Sequence, residues 1–218
     1  MSIFEDFSDS IAKELGKRNP WVPKPFRVEP FRTADRQLAV AFAYRSLDLE
    51  RLSVSYMIQA EHFFLDCPLD WPWPRLQCLA LTSPCLLQTS SYHDIDCLLQ
   101  KAGVAALQMP ALRTLVIWNG RKKIACAFVY QQDRDSATAS WRGTRQLHLS
   151  ADVLKVWKRV AEENHPSRRS FHVRNETIYD EIRSHGDAIH HLNLPCEVVS
   201  PASLWQIRSE ERAGERRR

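Results

Sequence analysis

Three segments of this chain repeat one spacing of apolar residues: Leu49, Leu52 and Val54; Leu76, Leu79 and Leu81; Leu112, Leu115 and Ile117. Apolar residues at the first, fourth and sixth places are the core pattern of a leucine-rich repeat, whose last two apolar side chains alternate on a short strand and point inward. The segments start at 49, 76 and 112, so they are 27 and 36 residues apart. The first spacing lies within the roughly 20–29 residues of such repeats, and the second implies an inserted loop. Helical periodicity fills the intervals. Met57, Ile58, Ala60, Phe63, Phe64 and Leu65 follow the first segment. Ser91, an N-cap with Asp94 three places on, precedes Ile95, Leu98, Leu99, Ala102, Ala105 and Ala106 on one helical face. A helix that returns the chain lets the next strand lie parallel to the last. The pattern therefore predicts an α/β fold, a leucine-rich-repeat-like solenoid with short parallel strands and outer helices.

Upstream, residues 35–47 read as a further helix, preceded by a connector holding Pro20, Pro23, Pro25 and Pro30 that runs extended. Downstream the pattern changes. Residues 125–130 and 139–142 flank a polar stretch and predict a β-hairpin. Ser150 then caps a helix carrying Val153, Leu154, Val156, Trp157 and Val160. The remainder predicts a strand at 170–173, short helices at 177–182 and 187–192, a strand at 197–199, and a helix opened by Pro201 that buries Leu204, Trp205 and Ile207. Residues 1–207 thus form one domain, with a repeat region at 1–120, a hairpin and an elaborated C-terminal cap at 121–207, and a basic tail at 208–218. The cap is expected to close the last apolar face of the stack.

Charge and cysteine usage narrow the function. Lys and Arg number 30 against 26 Asp and Glu, interspersed, for a net charge of +4. That distribution lacks the basic stripe of a nucleic-acid binder, and the Arg121-Lys122-Lys123 and Arg168-Arg169 clusters read as solvated loops. The six cysteines form no C-x-x-C pair and several replace apolar residues, which fits buried thiols in a reducing compartment. Residues 1–10 lack an apolar signal region, and no apolar run is long enough to span a bilayer. An intracellular protein, cytoplasmic or nuclear, is expected.

His185, Asp187, His190, His191 and Cys196 are types that a transition metal accepts, yet they lack a recognised ligand spacing, and adjacent His190 and His191 cannot face one centre from a helix. No nucleophile elbow or phosphate-binding glycine loop occurs among the six glycines. The expectation is no catalytic residue, no metal and no cofactor. Trp118 and Asn119, placed in a loop after the third repeat strand, and Trp141 and Arg142, on the hairpin, are the expected partner-binding patch, because such loops line the rim of a repeat surface.

Four blocks carry a family resemblance: Ser2 to Phe7, Trp71 to Ser83, Leu112 to Gly120 and Ile182 to Cys196. Together they resemble a family of uncharacterised filamentous-fungal proteins, F-box-like or of unknown function. The resemblance implies that longer members carry an F-box-like segment and further repeats ahead of this region, and that Ile3-Phe4 is a repeat strand whose bare edge invites self-association. It also implies a substrate-recognition role in an F-box-type ubiquitin-ligase receptor, here without its F-box. The expected function is a non-catalytic protein-protein interaction module. The alternative is a hydrolase or metal-dependent enzyme using His185, Asp187 and His190.

Overall fold

A computed structural model describes residues 1–5, 35–66, 68, 71–87, 91–164 and 170–215, with side chains through residue 209. The proline-rich connector, Trp21 and Cys67 lie outside the described residues. Seven strands form one sheet in which spatial order follows chain order: β1 (Ser2–Phe4), β2 (Arg51–Ser55), β3 (Cys78–Thr82), β4 (Thr114–Arg121), β5 (Ile124–Gln132), β6 (Ser136–Gly143) and β7 (Ser170–Thr177). Strands β1 to β4 are parallel, β5 is antiparallel to both β4 and β6, and β7 is parallel to β6. The protein is therefore a mixed α/β structure with a mostly parallel sheet.

The leucine-spaced segments are neighbouring parallel strands. Leu52 lies beside Leu79 and Leu79 beside Leu115, while Val54, Leu81 and Ile117 form the next row. All six are at most 1% exposed. Parallel neighbours require crossovers, and helices supply them. These are α1 (Arg36–Arg45), α2 (Ala60–Leu65), α3 (Tyr92–Ala106) and, between β6 and β7, α4 (Ala151–Asn164). Ala39, Phe63, Leu99 and Trp157 bring the four helices into one core with those strand residues, on what we term the back face. Trp157 sits 5.0 Å from Phe128 and 4.9 Å from Tyr130 by ring centroids, and its Nε1 donates to the Leu99 carbonyl at 3.0 Å.

The caps follow local chemistry. Asp35 Oδ1 accepts from the amides of Gln37 and Leu38, and Ser91 and Asp94 form a reciprocal capping box. The amide of Val153 donates to the Ser150 hydroxyl at the start of α4. The helix after β2 begins at Ala60 rather than Met57, because Tyr56 takes a left-handed φ of 67° and carries the chain out of the strand first.

Strand β4 also departs from expectation. It runs on through Trp118, Asn119 and Gly120 to Arg121, turns at Lys122-Lys123, and pairs along its whole length with β5. Asn-Gly is a strong turn dipeptide, so the sequence suggests a loop here. Gly120 answers a different need: a Cβ on it would lie 2.5 Å from the Cβ of Ala188.

That contact comes from α5 (His185–Leu192), which packs across β4 and β5 on the opposite, front face. A second core forms there from Tyr56, Val116, Trp118, Val129, Ile189 and Leu192, among others. The expected helix at 177–182 and strand at 197–199 are absent. Ile178 and Ile182 have helical spacing but are buried from an irregular segment, tied down where Lys123 donates its amide to the Ile182 carbonyl at 2.7 Å.

The final helix, α6 (Pro201–Glu215), extends into the expected tail and buries Ile207, while Trp205 is 73% exposed rather than buried. The segment after β7 does not close the end of the stack. It returns over the front face, where Val199 and Ile207 join Ser2 and Phe4 of β1 around a cavity of about 450 Å³.

Candidate functional site

Three of the four residues expected at a recognition rim are interior, which corrects the loop placement of Trp118 and Asn119 and the expected exposure of Trp141. Trp118 is a β4 strand residue with no exposure, held in the front core edge-on to Tyr56 at 5.3 Å. Its neighbour Asn119 faces the other way and donates from Nδ2 to the Ser83 carbonyl at 2.7 Å, tying the loop after β3 to β4. Trp141 is 1% exposed on the back face, with Nε1 donating to the Arg145 carbonyl at 2.7 Å. Alternation along a strand decides these outcomes, since it sends successive side chains to opposite cores. Arg142 does reach the surface, but its Nε donates to the His191 carbonyl at 3.1 Å and its Nη1 to Glu176 at 2.5 Å. It pins α5 to the sheet and β7.

The histidine block does not gather into one centre. His185 is 3% exposed and stacks on Phe4 at 6.5 Å. Asp187 forms an ion pair with Arg208 at 3.3 Å. His190 lies at the surface, edge-on to His191. Among the described residues no three His, Cys, Asp or Glu side chains are grouped to hold a metal, and no helix is long and apolar enough to cross a membrane. Burial and the adjacent Glu61 carboxylate push the Cys85 thiol up to about 12, so it stays protonated at neutral pH.

The open part of the front face lies at β6 and β7. Strand β6 reads Ser-Ala-Thr-Ala-Ser-Trp-Arg-Gly and alternates half-buried with buried throughout. Ala137, Ala139 and Trp141 enter the back core, which turns Ser136, Thr138, Ser140 and Arg142 to the front. Parallel pairing puts His172 beside Thr138, Arg174 beside Ser140 and Glu176 beside Arg142. His172, Arg174 and Glu176 are exposed, as is Gln131 beside Thr138 on β5. The result is a strip of hydrogen-bonding side chains on a rigid sheet.

Strand β7 ends the sheet order, with β6 as its one partner among the described residues. A strand was expected at 170–173, and its true length to Thr177 brings in Arg174 and Glu176. The period-two recurrence of His172, Arg174 and Glu176 is the signal that could have revealed them.

Fold and surface together define a mixed α/β protein with a helix-covered back face and a partly open front. The chain belongs to a family of unknown function, DUF6546, whose model matches residues 1–200. No curated protein and no solved structure matches the chain.

Proposed function

We propose that this chain is a non-catalytic protein-interaction module of leucine-rich-repeat type, working inside the cell and recognising a protein partner through the front of β6 and β7. The observation that carries this reading is the exposed polar strip of Gln131, Thr138, His172 and Arg174 beside an available strand edge. Side chains mounted on a sheet lose little freedom on binding, and an open edge adds main-chain hydrogen bonds. The ladder of Leu52, Leu79 and Leu115, with crossover helices sharing the back core, supports the repeat-type description. Its extension, the substrate-recognition part of an F-box-type ubiquitin-ligase receptor, is supported by the resemblance in residues 2–7, 71–83, 112–120 and 182–196. Self-association through β1 belongs to the same proposal, because β1 is the opposite end of the sheet order.

Affinity capture with the intact chain tests the main claim. Proteins captured by the wild type should be lost with His172→Ala/Arg174→Glu and kept with Lys158→Glu on α4. Identical capture by both variants would exclude this surface.

A further inference from the structure

His172, Val173, Arg174, Asn175 and Glu176 are exposed in succession along β7, so both faces of this strand are open. Strand β6 beside it alternates half-buried with buried, as a strand does when one face is covered. Val173 is an apolar residue and still 44% exposed. The backbone of β7 has a definite orientation. Ile178 donates its amide to the Gly143 carbonyl of β6 at 2.9 Å, and peptide groups alternate in direction along a strand, so those of Arg174 and Glu176 face β6. Those of Val173, Asn175 and Thr177 face away from it, with no strand beside them among the described residues.

We propose that this edge pairs with the same edge of a second copy of the chain, antiparallel and about a two-fold axis at Asn175, joining two sheets into one. Charge fixes the register. With the axis at Asn175, Arg174 of each copy lies opposite Glu176 of the other, and all four side chains are on the front face. With the axis at Arg174 the two arginines oppose each other, and with it at Val173 each arginine opposes a histidine. The backbone agrees with the charges. The outward-facing residues then meet as Val173 with Thr177 and Asn175 with itself, the hydrogen-bonded positions of an antiparallel ladder, which exchange about six N–H···O bonds. Val173 gains a β-branched neighbour on the back face.

Arg142 holds Oε2 of Glu176, whose side chain is 46% exposed, so Oε1 is the atom that meets Arg174 of the second copy. Strand β1, at the other end of the sheet, has no charged side chain in Ser2–Phe4 and offers β7 no such match. A self-complementary contact of this kind closes at two copies. The inference deepens the proposed function by naming the chain that takes the main-chain bonds of the edge, and rests on it for the open strip. It leaves Gln131, Thr138 and His172 of each copy to another protein, on a front surface that the dimer doubles.

Sedimentation equilibrium of the purified intact chain, with residue-resolved amide exchange, tests this apart from any capture experiment. A monomer–dimer equilibrium is expected, in which the amides of Val173, Asn175 and Thr177 gain protection as concentration rises while those of Arg174 and Glu176 stay unchanged. Arg174→Glu alone and Glu176→Arg alone should each weaken the dimer at least about tenfold, since both symmetry-related pairs become repulsive. An equal mixture of the two variants should dimerise nearly as well as the wild type, because each pair is again of opposite charge; that rescue also shows both variants to be folded. A monomer at every concentration up to about 1 mM would overturn the proposal. So would a dimer that leaves the Val173, Asn175 and Thr177 amides unprotected, or a mixture that associates no better than either variant alone.

Discussion

The two faces of one sheet have different compositions and different coverings. The back face is apolar from Leu52 on β2 to Trp141 on β6 and takes four helices, whereas the front is apolar only where α5 and the C-terminal segment lie and is polar along β6 and β7. The back core gathers the larger set of buried apolar side chains and so the larger share of the hydrophobic stabilisation. The front divides between a second core and an exposed polar strip. The polar side chains of β6 and β7 can therefore change without disturbing the core that shapes the sheet.

The contrast can be broken first at its strongest point. Trp157→Ala removes a side chain packed on both Phe128 and Tyr130 and should lower stability by about 3–5 kcal/mol in urea denaturation. A loss below about 1 kcal/mol would mean that the back core does not dominate.

On the front, Gly120→Ala should cost about 1–3 kcal/mol by driving a methyl group into Ala188, and Ala188→Gly in the same chain should recover part of it. Strict additivity of the two changes would show that α5 does not rest there.

Ser91→Ala, which removes the cap of the back-face helix α3, should cost about 1 kcal/mol. The same cap has a pH signature. The Ser91 hydroxyl, then its amide, hydrogen-bonds the Asp94 carboxylate and holds it below the usual carboxylate range. Because the folded value is the lower one, this contribution is present above the unfolded pKa and is lost as pH falls through the folded value. Asp94→Asn should flatten the acid limb of the stability profile, as read by thermal melts across pH.

The smallest effect on folding should come from the β6–β7 strip: His172→Ala/Arg174→Glu should shift stability by within about 0.5 kcal/mol while abolishing partner capture. A large loss of stability there would make the strip part of the fold rather than a surface held open.

Some of this was legible along the chain. The leucine spacing announced β2, β3 and β4 with their shared face, because strand alternation and repeat spacing are local, one-dimensional signals. Ser91 with Asp94, and Asp35 before Gln37, marked helix starts for the same reason. The candidate site was much less legible. Trp118-Asn119-Gly120 resembles a loop until α5 is seen lying against Gly120, and Trp205 has helical core spacing yet faces solvent. No local pattern records which helix will arrive from 68 residues further on, as Ala188 does at Gly120.

Taken alone, the order of residues determined an α/β chain with three parallel leucine-rich strands, their returning helices and the caps at which those helices start, since each depends on neighbours within a few turns. Tertiary structure alone decided that the C-terminal segment folds back over the front face, that Trp118 and Trp141 are interior, and that His172 and Arg174 stand open on β7. Those outcomes depend on which surfaces meet across long sequence separations, a property of the whole packed chain rather than of any segment.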